Sequence, residues 1–217
     1  MVSLFRTELE AIEKPSLEPG KLLSGEPKQL WDAFFYDPEQ VLRGLGSCTE
    51  EQMKPLGQML WGAFETGGDK LLDKGYAAVN RLLAENPTGT LKDVTYEFLL
   101  NLEWSGGYTD VYVPGQDFNY QRLFDKWTYS DGAMATSCNY QMFVVFEADP
   151  VGFLSALTQW DQTAPEGRDM EVIGRSFAYQ FRGDNTYLQI LTNLLDNQAA
   201  SKAAEVFLAE SQKVTSE

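Results

Sequence analysis

Apolar residues recur along most of the chain at intervals of three and four positions, the spacing that places them on one face of an α-helix. In the stretch PKQLWDAFFYD this pattern predicts a helix with Leu30, Trp31, Phe34 and Phe35 facing inward. The same period predicts helices in further stretches, residues 2–14, 49–67, 68–87, 91–104 and 199–213. Residues 15–27 contain three prolines and two glycines, which favour a loop or linker.

Two helix starts share one sequence pattern. FFYDPEQVLRGL runs from Phe34 to Leu45, and FEADPVGFLSAL runs from Phe146 to Leu157, 112 positions later. In each, aspartate followed by proline predicts an N-cap and a first helical residue, at Asp37-Pro38 and at Asp149-Pro150. The apolar positions continue to correspond at the same offset, which predicts an internal repeat of residues 28–86 and 140–198.

The pattern as a whole predicts an all-α fold over a single helical domain, residues 1–217. It comprises two similar multi-helix units, arranged as a solenoid-like stack or an irregular helical bundle. A turn-rich, aromatic and acidic connector, residues 87–139, joins them. Within this connector, YTDVYV alternates like a short strand and TYSDGAMATSCN resembles a loop.

The amino-acid composition excludes several classes of function. The 217 residues include 32 acidic side chains, 17 basic side chains and no histidine, for a net charge of −15. A nucleic-acid-binding protein normally carries a basic patch, and none is visible here. The absence of histidine excludes Ser-His-Asp triads, Cys-His nucleophile pairs and histidine metal sites.

The sequence contains no GxxxxGK[ST] phosphate loop, no GxGxxG and no CxxC pair. We therefore expect no cofactor and no metal. Two cysteines, Cys48 and Cys138, are too few for a disulfide scaffold of this length, and we expect both to be reduced. Without a signal-peptide pattern or an apolar run of about 18 residues, the expectation is a soluble cytoplasmic protein with no membrane partner.

The negative charge is concentrated in the middle of the chain. Residues 93–167 hold 11 acidic side chains but only Arg122 and Lys126 as basic ones, a net charge of −9. Tyrosine and tryptophan, which dominate binding hot spots, accompany these acids. We therefore predict a partner-binding surface that contains Asp110, Tyr112, Asp117, Asp125, Trp127 and Asp131.

The leading hypothesis is a non-enzymatic acidic protein, such as an inhibitor, immunity protein or adaptor, that engages a basic surface on a protein partner. One alternative is a nucleic-acid mimic that occupies a DNA- or RNA-binding protein, which requires acids in a regular exposed line. The other is a carboxylate-dependent hydrolase such as a glycosidase, which requires paired acids beside aromatic rings in a cleft.

Overall fold

The computed structural model describes residues 14–61, 69–106, 112–113, 116–130, 132–165 and 167–216. All regular secondary structure in these ranges is helical, which confirms the all-α prediction. Helix contacts divide the chain into two compact units, unit 1 over residues 1–109 and unit 2 over residues 110–217. Among the helices of the described ranges, none combines the length and the apolar character that crossing a bilayer requires.

Unit 1 is built around a cluster of aromatic rings. Its helices are α1 Pro19–Ser24, α2 Pro27–Tyr36, α3 Pro38–Gly46, α4 Glu50–Met53, α5 Leu56–Trp61, α6 Asp69–Ala84 and α7 Gly89–Gly106. The rings of Phe34 and Phe98 stack with centroids 4.5 Å apart, and Trp31 meets both edge-on. Helix α7 packs against α3, α5 and α6, and therefore closes the core of this unit.

Prolines set the helix boundaries in unit 1. The predicted loop over residues 15–27 is wrong in part, because residues Pro19–Ser24 form α1. Proline suits a first helical turn, and Leu22 and Leu23 become buried when α1 forms. Pro55 separates α4 from α5, as its missing amide proton predicts.

Unit 2 is organised around Phe177. Its helices are α8 Tyr120–Tyr129, α9 Gly132–Ala148, α10 Pro150–Trp160, α11 Met170–Gln180, α12 Asn185–Asn193 and α13 Ser201–Ser216, with a 3-10 turn at Asp161–Thr163. The centroid of the Phe177 ring lies 5.3 Å from that of Phe146, 5.4 Å from that of Phe153 and 5.0 Å from that of Phe207. One side chain thus joins α9, α10, α11 and α13 in a single core.

The connector contains more helix than predicted. The loop expected over TYSDGAMATSCN is wrong from residue 132 onward, because α9 begins at Gly132 and buries Cys138 against the core. Most of the predicted strand YTDVYV lies outside the described residues, and so does all of the helix predicted at residues 2–14 except its last residue. Tyr112 and Val113 have no regular secondary structure. Both cysteines are free.

Both predicted aspartate caps are confirmed. Asp37 accepts a hydrogen bond from the backbone nitrogen of Gln40 at 3.1 Å, and Asp149 accepts one from Gly152 at 2.9 Å. The second oxygen of Asp149 accepts a further bond from the Tyr120 hydroxyl at 2.6 Å. Asp149 therefore both starts α10 and ties it to α8, a contact for which Asp37 has no described counterpart.

Helices α11 and α13 are joined by a buried carboxylate. Glu210 accepts a hydrogen bond from Arg175 Nε at 3.1 Å and pairs with Lys213, while its own side chain is almost fully buried. Burial raises the pKa of Glu210, but the hydrogen bonds from Lys213 and Arg175 outweigh burial and leave the pKa below its ordinary value. A Cβ added at Gly174 would lie 2.9 Å from the Phe207 ring, so the two helices approach too closely there for a larger residue.

Asp37 and Asp149 accept different numbers of hydrogen bonds, so alanine substitutions at the two caps should lower stability by different amounts. We expect Asp37→Ala to lower the free energy of unfolding by about 1 kcal/mol, the usual effect of a lost cap. Asp149→Ala should lower it by about 2 kcal/mol, because the Tyr120 hydroxyl also loses its acceptor. Urea unfolding measures both. Asp196→Ala, in an exposed turn, is the matched control and should change stability by less than about 0.5 kcal/mol. Equal losses at the two caps would contradict a stabilising role for the Tyr120 bond.

Candidate partner-binding face

The six residues predicted to bind a partner occupy different environments. Asp110 and Asp131 lie outside the described residues. Asp117 is exposed and Tyr112 is half-buried, so both reach the surface of unit 2. Asp125 and Trp127 are only 7% and 3% exposed, so the structure does not present them to solvent beside the other two.

Asp125 is engaged inside unit 2. Its Oδ1 accepts hydrogen bonds from the indole nitrogen of Trp160 and from Gln121 Nε2, each at 3.1 Å. The first of these bonds joins α8 to the end of α10. A buried carboxylate with such partners positions helices and is not exposed for direct contact with a partner.

The neighbouring Lys126 is also buried, with 0% of its surface exposed. Its ammonium lies 3.5 Å from Oε1 of Gln141 on α9. The net charge of −9 counted over residues 93–167 includes Asp125 and Lys126 as if both were at the surface, whereas both side chains are buried in the structure. Neither side chain is therefore exposed for direct contact with a partner.

Trp127 belongs to the core cluster of unit 2. The guanidinium of Arg168 lies over its ring, 5.3 Å from the centroid, and donates a hydrogen bond to the carbonyl of Ser130 at 3.4 Å. This cation–π contact covers the ring from outside. A partner would have to displace Arg168 to reach it.

A different set of rings reaches the surface. Tyr112, Phe118 and Tyr120, here called the surface aromatic cluster, meet edge-to-face with centroids 5.4 and 5.2 Å apart. All three rings are partly buried and pack on the core of unit 2. Val113, 39% exposed, and Asp117, also exposed, lie next to them in the chain. An apolar surface with an adjacent carboxylate results.

Tyr120 fixes one end of this cluster. Burial and the hydrogen bond to Asp149 raise the pKa of its hydroxyl well above the ordinary value, so the group stays protonated and donates. Sequence reasoning did not place Phe118 or Tyr120 in the site. The sequence does contain a feature that predicts the position of Phe118. This residue precedes Asn119, which caps α8, and an apolar residue just before a cap tends to pack on the helix that follows.

Comparison with family models, curated proteins and solved structures finds no match to this chain. The chemistry of the site must therefore be judged from its geometry. A carboxylate-dependent hydrolase needs two accessible acids facing each other across a cleft. Asp125 is enclosed, and both oxygens of Asp149 already accept hydrogen bonds, so neither of these two carboxylates is an accessible acid of that kind.

Stability measurements should distinguish an aspartate that positions helices from one that faces a partner. We expect Asp125→Ala to lower the free energy of unfolding by more than about 1 kcal/mol, because the buried Trp160 N–H loses its acceptor. Asp125→Asn keeps a side-chain oxygen that can accept this hydrogen bond, so it should lower the free energy of unfolding by less. Asp117→Ala should stay within about 0.5 kcal/mol of wild type. Urea unfolding of the three variants gives the comparison. If Asp125→Ala is as stable as wild type, the carboxylate is dispensable for folding, and Asp125 is again a candidate for direct contact with a partner.

Proposed function

We propose that the chain is a non-enzymatic acidic protein that binds a basic surface on a protein partner, in the manner of an inhibitor, immunity protein or adaptor. The observation that carries the proposal is the surface aromatic cluster beside exposed Asp117, on a chain of net charge −15. Tyrosine rings held against a core lose little conformational freedom on binding, which is why such residues dominate binding energy.

The charge of unit 2 supports an electrostatic attraction to a basic partner. Residues 110–217 carry 15 acidic and seven basic side chains, a net charge of −8. Lys126 is buried, Arg175 and Lys213 pair with Glu210, and Lys202 pairs with Asp161 at 3.0 Å. Most of the cations are therefore committed within the unit, and the remaining acids can attract a basic protein during encounter.

A binding experiment with matched charge changes tests this proposal. Immobilised wild-type protein should retain a basic partner from native lysate at low salt and release it as salt rises, because exposed charges are screened within about 8–10 Å. Once mass spectrometry has identified the partner, association rates can be compared. The Tyr112→Ala/Asp117→Lys variant should associate at least tenfold more slowly, while Glu205→Lys, an equal charge reversal on α13, should change the rate far less.

Two results would contradict the proposal. Equal association rates for Tyr112→Ala/Asp117→Lys and wild type, with the fold intact by circular dichroism, would exclude the surface aromatic cluster as the contact. Equal slowing by Tyr112→Ala/Asp117→Lys and Glu205→Lys would show that overall charge alone governs association, with no specific face.

We also propose that residues 28–86 and 140–198 are two copies of one unit, as their sequences predict. Two observations support this. Helices α3 and α10 begin at Pro38 and Pro150, 112 positions apart, and their buried apolar residues, Val41, Leu42 and Leu45 in α3 and Phe153, Leu154 and Leu157 in α10, correspond at the same offset. At the offset of 112, α7 also corresponds to α13, beyond the predicted repeat. The break between α1 and α2 at Pro27 corresponds to Asn139 inside continuous α9, so a proline accounts for that difference.

Superposition of the two segments in an experimental structure tests the duplication. We expect Val41 to coincide with Phe153 and Val79 with Leu191, because each of these side chains is buried in its own unit. If these pairs fall on different helix faces, the common offset is a coincidence of amphipathic helices.

A further inference from the structure

A second surface of unit 2 has a different chemistry from the face described above. Helices α12 and α13 border an open groove of about 480 Å3. Leu188 and Leu208 supply its apolar part, and four hydroxyl side chains line it: Thr192, Ser211, Thr215 and Ser216. Gln212 adds an amide, and among the described residues that line the groove none is charged, although the chain is strongly acidic.

The hydroxyl groups of the groove are oriented by their own helices. Thr192 donates to the carbonyl of Leu188 at 2.8 Å, and Ser211 donates to that of Phe207 at 2.8 Å. Thr215 and Ser216 likewise donate to backbone carbonyls of α13, at 2.7 and 2.6 Å. A hydroxyl has one proton and two lone pairs. Each of these oxygens has therefore used its donor and can only accept a hydrogen bond from a ligand.

Two further features favour a ligand that donates hydrogen bonds and carries positive charge. Thr192 lies in the last turn of α12. The C-terminal turn of a helix carries partial negative charge. In addition, the hydroxyl of Tyr187, a residue 2% exposed, lies beside Ser211 without a hydrogen-bond partner of adequate geometry among the described residues. This buried group is thus next to one of the residues that line the groove.

We propose that this groove binds an organic ammonium group attached to an apolar stem. The ammonium has three donors and no acceptor, which complements a ring of acceptor oxygens. The stem lies against Leu188 and Leu208. An anion is disfavoured because it would face oxygen lone pairs and the C-terminal turn of α12, and an uncharged alcohol offers only one donor. The same chemistry is available from a free alkylamine or from a lysine side chain of a partner, and the experiment separates these sources.

The test uses the full chain and hexylammonium chloride as the probe. Titration followed by nuclear magnetic resonance should give saturable shifts of the Leu188 and Leu208 methyl signals. We expect hexylammonium to bind at least tenfold more tightly than 1-hexanol, because charge-assisted hydrogen bonds are about twice as strong as neutral ones. Methylammonium should bind weakly, because it lacks the stem. A parallel titration with Nα-acetyl-lysine methylamide asks whether a lysine side chain is the better ligand.

Variants locate the site. Thr192→Val/Thr215→Val keeps the side-chain shape and removes two acceptors, and it should weaken hexylammonium binding at least tenfold. Both positions are exposed, so the fold should survive, and the single Thr215→Val variant should weaken binding about threefold if the double variant does not fold. Thr158→Val is the matched control, because Thr158 also donates to a carbonyl of its own helix but lies on α10, outside the groove.

Three outcomes would overturn the proposal. One is the absence of saturable shifts up to about 10 mM hexylammonium, an affinity weaker than roughly 3 kcal/mol of binding free energy. Another is equal affinity for 1-hexanol, which would leave a merely apolar groove. The third is equal binding by wild type and the Thr192→Val/Thr215→Val variant. Tighter binding of the lysine derivative than of hexylammonium would support the groove as a lysine site, and the reverse order would support a free amine.

Discussion

The packing of Phe177 is the interaction on which unit 2 depends. Its ring contacts rings from α9, α10 and α13, and α13 can approach α11 closely because Gly174 has no side chain to obstruct Phe207. The surface aromatic cluster packs on this core, and the Asp149 cap and the groove between α12 and α13 belong to helices of the same unit. Short helices such as α12 are marginal alone, so their geometry comes from this packing rather than from intrinsic propensity.

Local sequence chemistry predicted the helix starts well. Asp37 and Asp149 each combine a side-chain acceptor with a favourable first turn, and both cap helices in the structure. These features depend on residues adjacent in sequence, so no knowledge of the tertiary fold is needed. Helix α1 and the start of α9 were missed for the opposite reason. Their glycines and small polar residues indicate loops, and burial of Leu22, Leu23 and Cys138 in the tertiary structure outweighs that preference.

The candidate face was less predictable than the fold. Tyr112 and Asp117 reach the surface as expected, but composition cannot distinguish a carboxylate in solvent from one that accepts an indole hydrogen bond, as Asp125 does. Trp127 has the residue type of a binding anchor, yet it fills the core beneath Arg168. Phe118 and Tyr120 enter the face through contacts between segments distant in sequence, notably the bond from Tyr120 to Asp149. The acceptor character of the groove depends on hydroxyl orientation, which only the helical backbone determines.

The enclosure of Lys126 has a practical consequence. Acylating reagents attack an uncharged amine that solvent can reach, and this amine is fully covered between α8 and α9. Its modification therefore requires those helices to separate, whereas exposed lysines such as Lys202 react from the folded state. The rate at which Lys126 becomes labelled thus reports how often this part of unit 2 opens under native conditions. The chain carries a built-in probe of its own local unfolding, without any added label or substitution.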